Sequence, residues 1–203
     1  MSASVAAVWI SGLIFAVIHS FMASLRCKAW VRSEGLDPHT YRMGYSFLSL
    51  LLTLLWLFFL FHLPDRPLYD LNGAIGWLLM ALQLAGVAVV GLSLSHVDAL
   101  AFLGFRPFPD HIEPFRESGI YRHVRHPMYS GFMLILLASP EQSVNSFNLA
   151  LFVALYFVVG SIFEERRMVG AHPHYADYRK RVPAFIPWRT LFSPPGRSGS
   201  RHE

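Results

Sequence analysis

Long stretches without a charged residue constrain this chain more than any other feature of its sequence. Residues Tyr45–Leu63 and Asn72–His96 contain no Asp, Glu, Lys or Arg. A helix that crosses a membrane needs about 20 predominantly apolar residues, and both stretches meet that requirement. Of the whole chain, 54% is hydrophobic and only 15% is charged, whereas soluble domains have about 25% charged residues. The sequence therefore excludes an ordinary soluble globule and predicts an integral membrane protein.

Apolar length predicts the number of membrane spans. Four segments are long enough to cross: Val5–Leu25, Tyr45–Leu63, Gly73–Ser95 and Phe147–Phe163. The 14 residues of a fifth segment, Pro127–Pro140, reach only about 21 Å as a helix, against a hydrocarbon core of about 30 Å. The predicted fold class is all-α, a multi-pass transmembrane helical bundle with about five spans. Because the link PEQSVN is short, the last two helices should form an antiparallel hairpin.

The basic residues predict how the spans are oriented. Lys and Arg collect in the loops on the cytoplasmic side of a membrane. If the N-terminus is outside, all five segments cross and the C-terminus is cytoplasmic, 16 of the 17 basic residues lie on one side. The membrane would be the inner membrane of a bacterium or the endoplasmic reticulum of a eukaryote. The basic excess thus marks orientation, and no nucleic-acid partner is expected.

Polar residues gather where the short fourth helix begins, in the stretch ESGIYRHVRHPMYSG. Pro127 has no backbone N–H, so it belongs in the first turn of that helix with His126 at or near the cap. A helix that starts there is too short to reach the cytoplasmic face, so the preceding segment lies partly at membrane depth. Non-helical backbone is tolerated there only if it is buried in protein or lines a wet cavity. We therefore expect a pocket.

The last span supplies the opposite wall of this pocket. Counting outward from the hairpin turn puts Pro127 level with about Val158, and Glu164 and Glu165 about 10 Å further toward the cytoplasm. This count predicts room for a ligand of nucleoside size between the Arg/His cluster and the Glu pair. A helix start with arginines favours an anion and the carboxylates favour a cation, so a zwitterion would suit both.

The chain after the Glu pair supports two interpretations. Tyr175 and Tyr178 are followed by a basic run, Arg179–Arg181. Such a segment is typical of an amphipathic helix held at the membrane surface by anionic lipid. Its position next to the Glu pair also fits a lid over the pocket.

An ordered set of motifs carries a family resemblance. RHPMYSG at Arg125–Gly131 is followed by the Glu pair, by Gly170 and by YADYRKRVPAFIP at Tyr175–Pro187. This set resembles the cofactor signature of the isoprenylcysteine carboxyl methyltransferase and phospholipid methyltransferase superfamily. The resemblance implies a cytoplasmic-side pocket for S-adenosylmethionine and a lipophilic or small apolar acceptor that enters from the bilayer.

The resemblance also implies roles for individual residues. Arg125 and Glu165 form the implied catalytic set: Arg125 would meet the cofactor's carboxylate or fix the loop, and Glu165, with or without Glu164, would bind its amino group or orient a catalytic partner. Gly131 would let the helix approach the cofactor. No metal is implied. The full cofactor-binding set is Tyr121, His123, Arg125, His126, Pro127, Tyr129, Gly131, Glu164, Glu165, Tyr175 and Tyr178.

The N-terminal half matches the superfamily more loosely. HSFMASLRCKAW at His19–Trp30, with Tyr41 and Arg42, is similar to bacterial members that methylate small thiols or have unassigned substrates. Three regions are therefore predicted: residues 1–96 as the acceptor side, 97–192 as the cofactor side and 193–203 as a disordered tail. The acceptor stays open between a prenylcysteine-like carboxylate, a thiol and a lipid.

Two other functions are compatible with the sequence. A non-catalytic membrane protein could keep the same fold, although ionisable residues at membrane depth usually have a function. A membrane haem protein is suggested by ten histidines, but haem needs histidines at matching depth on facing helices. Under the predicted topology His62 lies near the outside and both His19 and His96 near the cytoplasm.

Overall fold

The predicted membrane helices form in a computed structural model, which describes residues 3–106 and 115–189. Among these residues, four helices are long and apolar enough to cross a membrane: α1 (Ala3–Ala23), α3 (Pro38–Phe61), α4 (Gly73–Ser95) and α7 (Val144–Ala171). The shorter apolar helix is α6 (Pro127–Leu137). The all-α membrane bundle predicted from the sequence is thus confirmed. The predicted disordered tail, 193–203, lies outside the described residues.

Short elements connect these helices. They are α2 (Leu25–Ser33), strand β1 (Pro67–Asp70), α5 (Ala99–Leu103), a 3₁₀ turn (Gly119–Arg122), strand β2 (Glu141–Ser143) and α8 (Tyr175–Arg181). Local sequence fixes several of their boundaries. The Asp37 carboxylate caps α3 by accepting from the backbone N–H groups of His39 and Thr40, and Ser143 begins α7 with a capping box, which satisfies backbone donors left unpaired at a helix start.

The long helices pack in the order α3, α1, α7, α6, α4, with the most extensive contact between α4 and α6. Little of each span is buried: in the most apolar 18 residues of each helix, only 11% to 17% are buried. Large side chains such as Phe47, Phe61 and Leu84 stand exposed. Lipid tails are as apolar as these residues, so an exposed apolar surface is what a bundle immersed in a bilayer requires.

A two-stranded antiparallel sheet, absent from the sequence prediction, joins two connections on one face of the bundle. Strand β1 lies between α3 and α4, and β2 lies between α6 and α7. Asn145 strengthens the junction, since its backbone N–H donates to Asp65 and its side chain donates to the Pro64 carbonyl. Because α4 leaves this face and α6 returns to it, α6 runs antiparallel to α4.

Side chains satisfy the carbonyls at the far end of α6. Gln83 donates to the Ile135 carbonyl at 2.9 Å and Gln142 to the Leu136 carbonyl at 2.7 Å. Backbone groups at membrane depth need such partners because no water is available to them. The two amides therefore satisfy the last carbonyls of α6 where this helix meets the sheet.

Close contact between α4 and α6 depends on two glycines. A Cβ added to Gly131 would lie 2.8 Å from the Gly86 carbonyl oxygen and 2.7 Å from Val90. A Cβ on Gly86 would lie 2.8 Å from the Gly131 carbonyl oxygen. The face of Gly131 that lacks a side chain is filled by α4, so this glycine permits close approach of two helices; the approach to a cofactor that the resemblance implies remains a prediction.

Candidate active site

A buried carboxylate organises the start of α6. The Glu165 carboxylate, through Oε1, accepts from Arg125 Nε at 2.8 Å and lies 2.7 Å from Arg125 Nη2 and 3.0 Å from His126 Nε2. The side chains of Arg125 and Glu165 are each 11% exposed, and that of His126 is 4% exposed. Burial of charge is costly unless the charges are paired and hydrogen-bonded. Glu165 thus fixes both residues that precede Pro127.

These contacts correct the predicted space between the Arg/His cluster and the Glu pair, because the two groups touch. The helical count placed them about 10 Å apart along the bundle. However, His126 has non-helical backbone angles, and non-helical backbone can advance further per residue than the helical rise of about 1.5 Å. The non-helical turn at His126 and the long arginine side chain close the gap, and the Arg125–Glu165 pair fills the space that was predicted for a ligand.

Arg125 also ties the segment after α8 to the start of α6. Its guanidinium donates to the carbonyls of Arg179, at 3.0 Å, and Val182. The backbone N–H groups of Arg125 and His126 donate to the carbonyls of Pro183 and Ala184, both at 2.9 Å. Of the two implied roles for Arg125, its contacts are those of a residue that fixes a loop.

The second carboxylate has different surroundings. Tyr129 donates its hydroxyl to Glu164 Oε2 at 2.8 Å, and the Glu164 side chain is 33% exposed. The Tyr129 ring is stacked between His126, at 5.4 Å, and Phe157, at 4.6 Å between centroids. Glu164 is therefore the member of the pair that remains open to a ligand, and it lies beside an aromatic wall.

The two C-terminal tyrosines pack in a small core. Tyr175 and Tyr178 are buried with Met168 and Val182, and Phe115 packs against them. The Tyr178 hydroxyl donates to the Tyr121 carbonyl at 2.7 Å. Neither ring lies on an open surface, and their predicted contribution to cofactor binding remains a prediction.

The phenols in this region have perturbed acidities. Burial, reinforced by the nearby Glu165 and Glu164 carboxylates, raises the pKa of Tyr175. Burial, and then the Glu164 charge, raises the pKa of Tyr121. Both phenols therefore stay protonated at neutral pH and can act as hydrogen-bond donors. His123 ends the 3₁₀ turn as an exposed residue.

A strip of partly exposed residues runs along α7 and ends at Glu164. Tyr156, Gly160 and Glu164 are spaced four residues apart, so they form one strip on the helix surface. Among the described residues, a Cβ added to Gly160 would meet nothing within 4 Å, and Gly160 is partly exposed. Gly160 therefore leaves a gap in the side-chain surface between Tyr156 and Glu164, one strip away from the face on which Phe157, Ser161 and Glu165 lie, and we call this gap the groove.

Several residues of this region were not predicted from the sequence. Phe157 and Gly160 lie inside an apolar run in which nothing but helical spacing relative to Glu164 and Glu165 sets them apart. Ser130, which lies inside the RHPMYSG motif, donates to the Phe185 carbonyl at 2.8 Å. The position of Ser130 within the motif could have identified it as a site residue, whereas nothing in the sequence distinguishes Phe157 and Gly160 from the apolar residues around them.

Comparison with known proteins agrees with this architecture. The chain is 32% identical over 182 residues to methanethiol S-methyltransferase 2 of Bradyrhizobium diazoefficiens, an alignment that covers 86% of this chain and 70% of that protein. It is 29% identical over 184 residues to methanethiol S-methyltransferase of Mycobacterium tuberculosis, covering 86% and 75%. It is 32% identical over 122 residues to protein-S-isoprenylcysteine O-methyltransferase of Schizosaccharomyces pombe, covering 57% and 49%. No solved structure matches.

The helical bundle, the site at the start of α6 and these relatives together define an integral membrane methyltransferase. The resemblance to the isoprenylcysteine carboxyl methyltransferase superfamily is thereby confirmed. More particularly, the chain belongs to the NnrU protein family, which matches residues 8–185.

Proposed function

We propose that this protein transfers the methyl group of S-adenosylmethionine to the sulfur of a small apolar thiol. Several relatives that align with most of the chain are named methanethiol S-methyltransferases. The observation that carries the proposal is the strip Tyr156–Gly160–Glu164, where open space adjoins a partly exposed carboxylate. We also propose the orientation given by the basic residues, with the cofactor side of the bundle in the cytoplasm.

The residues of the groove fit the proposed cofactor. Glu164 offers a carboxylate for its ammonium group, and the stacked rings of Tyr129 and Phe157 offer an apolar wall for its adenosine. When bound, the cofactor would supply an electrophilic methyl group on a sulfonium sulfur. Gly160 would keep the floor of the groove free for the reacting groups.

The other site residues would position and enclose these groups. Glu165 holds Arg125 and His126, and they hold the segment Val182–Ala184 across the start of α6. Methyl transfer needs in-line alignment and exclusion of water more than it needs charge stabilisation. The ion cluster of Arg125, His126 and Glu165 would provide the alignment, and the apolar spans would exclude water.

Calorimetric titration of the detergent-purified protein with S-adenosylmethionine tests the cofactor site. Wild type should bind. Glu164→Gln should bind at least about tenfold more weakly, since a hydrogen bond to a charged group contributes about 1.5–3 kcal/mol. Gly160→Leu should abolish binding by filling the groove. Gly91→Leu is the matched control. A Cβ on Gly91 would likewise meet nothing within 4 Å in the described part of the chain, but Gly91 lies on α4, away from the groove. The Gly91→Leu protein should therefore bind S-adenosylmethionine as wild type does.

A transfer assay with labelled methyl donor tests the acceptor. Methanethiol or a short alkanethiol should be methylated, whereas a prenylcysteine carboxylate and a phospholipid amine should not. The prenylcysteine is the rival acceptor because of the Schizosaccharomyces pombe relative. Labelling of the carboxylate or the amine alone would overturn the thiol proposal, and failure of wild type to bind S-adenosylmethionine would overturn the whole function.

A further inference from the structure

Polar side chains from α1, α3 and α7 meet where these helices pack together, away from the Arg125–Glu165 pair. His19 and Ser20 come from α1, Tyr45 from α3 and Tyr156 from α7; we call these four residues the polar cluster. His19 Nε2 lies 2.9 Å from the Tyr45 hydroxyl, and the hydroxyls of Ser20 and Tyr156 lie 3.1 Å apart. Polar groups in a transmembrane bundle are costly and commonly mark functional positions.

One nitrogen of this cluster lacks a partner. His19 Nδ1 is buried, and within residues 3–106 and 115–189 no group hydrogen-bonds to it. A neutral imidazole has one donor nitrogen and one acceptor nitrogen. If Nε2–H donates to Tyr45, Nδ1 carries a free lone pair. An unsatisfied buried polar atom costs about 1–3 kcal/mol, so its retention calls for a use.

The cluster borders the proposed groove. Tyr156 contacts the His19 ring at 6.3 Å between centroids and begins the strip that continues through Gly160 to Glu164. On the next strip, Phe157 is stacked on Tyr129. His19 and Tyr129 thus face the two sides of one section of α7. His19 is half-buried, and because χ2 of histidine is a soft torsion, its ring can turn toward the groove.

The surroundings of His19 suit a small apolar molecule. Its ring stacks on Phe15 at 5.4 Å, and Phe15 in turn stacks on Trp56 at 4.8 Å. These aromatic walls offer dispersion contacts to an alkyl group and no charge to a polar substrate. Two buried polar atoms in the described part of the chain lack a hydrogen-bond partner, His19 Nδ1 and Ser49 Oγ, and of these only the imidazole nitrogen is a base.

We propose that His19 Nδ1 is the base that takes the proton of the acceptor thiol, an inference that rests on the proposed function. A thiolate, not a thiol, is the nucleophile. A cysteine-like thiol has a pKa of about 8.5 in water, and apolar surroundings raise it further because they disfavour charge. A small thiol in this groove would therefore stay protonated without a base.

The step balances without any further reactant. The S–H bond breaks, an N–H bond forms at Nδ1, and the bonding pair stays on sulfur. That sulfur forms the new S–C bond, while the pair of the broken donor bond returns to the donor sulfur, which becomes a neutral thioether. The proton leaves from the imidazolium to water. Tyr45 is a positioning residue, since it holds the tautomer in which Nδ1 is the acceptor.

Two thiols of different acidity test the base. With an alkanethiol, which is protonated at neutral pH, His19→Gln should lower kcat/KM about 100-fold or more, the usual contribution of a general base. With benzenethiol, which is largely ionised at that pH, the loss should be less than about fivefold, since no proton remains to be removed. Tyr45→Phe should show the same selectivity, more weakly. His62→Gln is the control: this imidazole bonds to the Phe58 carbonyl at the far end of α3, and both thiols should react as with wild type.

A second readout does not depend on turnover. Diethyl pyrocarbonate modifies unprotonated imidazoles, and peptide mass spectrometry resolves each histidine. In the absence of any methyl donor, the alkanethiol should slow modification of His19 and leave that of His62 unchanged. Calorimetry should show that His19→Gln still binds S-adenosylmethionine.

The outcomes separate the two proposals. If wild type methylates no thiol, both the thiol function and the role of His19 are overturned. If wild type methylates thiols but His19→Gln loses the same factor with both, the residue is structural and the inference alone fails. Absence of protection by the thiol would also overturn it, whatever the rates.

Discussion

Replacement of Gly131 by alanine should displace the candidate site although it changes no polar side chain. The new Cβ would lie 2.8 Å from the Gly86 carbonyl oxygen, whereas ordinary contacts begin at 3.4 Å, so α6 must withdraw from α4 by about 0.6 Å. The opposing atom is backbone and cannot rotate away. Overpacking of this kind costs about 1–3 kcal/mol. Because Arg125, His126 and Tyr129 are attached to the start of α6, they move with it.

The expected effect on catalysis exceeds the effect on stability. A misplacement approaching 1 Å can cost about 100-fold in rate, so Gly131→Ala should lose one to two orders of magnitude in kcat while remaining folded. Methyl transfer and thermal unfolding in detergent measure the two effects. Gly86→Ala should behave similarly, and the double variant should lose less than the two losses combined, since one displacement relieves both clashes.

The matched control is Gly91→Ala, also on α4, where an added Cβ would meet nothing within 4 Å among the described residues. It should change neither rate nor stability. A Gly131→Ala protein with wild-type rate and wild-type melting temperature would refute the claim that close contact between α4 and α6 positions the site.

Two further predictions concern charged groups at opposite faces of the bundle. Arg125→Met should destabilise the protein by about 3–5 kcal/mol, because it leaves the buried Glu165 charge without its main partner. Arg181→Met breaks only the exposed pair with Glu117 and should cost about 0–1 kcal/mol. Equal melting temperatures of the two variants would contradict this prediction. At the other face, burial opposes ionisation of Asp65, but the Ser143 hydrogen bond and the backbone N–H groups of Asn145 and Arg66 together lower its pKa below the ordinary 3.8. The ionised form of Asp65 therefore stabilises the fold at pH values above its ordinary pKa. The difference in unfolding free energy between wild type and Asp65→Asn should have its full size at pH 7 and vanish as the pH falls through the lowered pKa. Thermal unfolding at several pH values measures this difference.

The membrane helices could be predicted because apolar length is a property of contiguous sequence. The third apolar segment, Gly73–Ser95, coincides with α4, and the cap at His126 followed by Pro127 was found as expected. The last span was predicted too short, since α7 continues to Ala171. Charged residues such as Glu164 and Arg166 break an apolar run but do not break a helix, so hydropathy alone could not show that the Glu pair is helical.

The candidate site could be predicted only in part. The motif residues near the start of α6 were identified from the sequence. Their distances from the Glu pair depend on a non-helical segment and a long arginine side chain that bridge two helices. A count along straight helices does not include either of these. The groove at Gly160 and the pairing of His19 with Tyr45 depend on contacts between helices distant in sequence. The small sheet was missed for the same reason, because each strand is only three or four residues long.

The attachment of α6 to the sheet determines which solvent each reactant meets. One end of this 11-residue helix is anchored at the β1–β2 face, and the helix extends only about 16 Å from there. The proposed reaction site is therefore recessed roughly half a membrane thickness from the opposite surface. In the proposed reaction, a water-soluble donor would reach it from that surface and an oily acceptor would arrive sideways between helices. A thioether formed at this depth would already lie next to lipid, so its release would follow from partitioning.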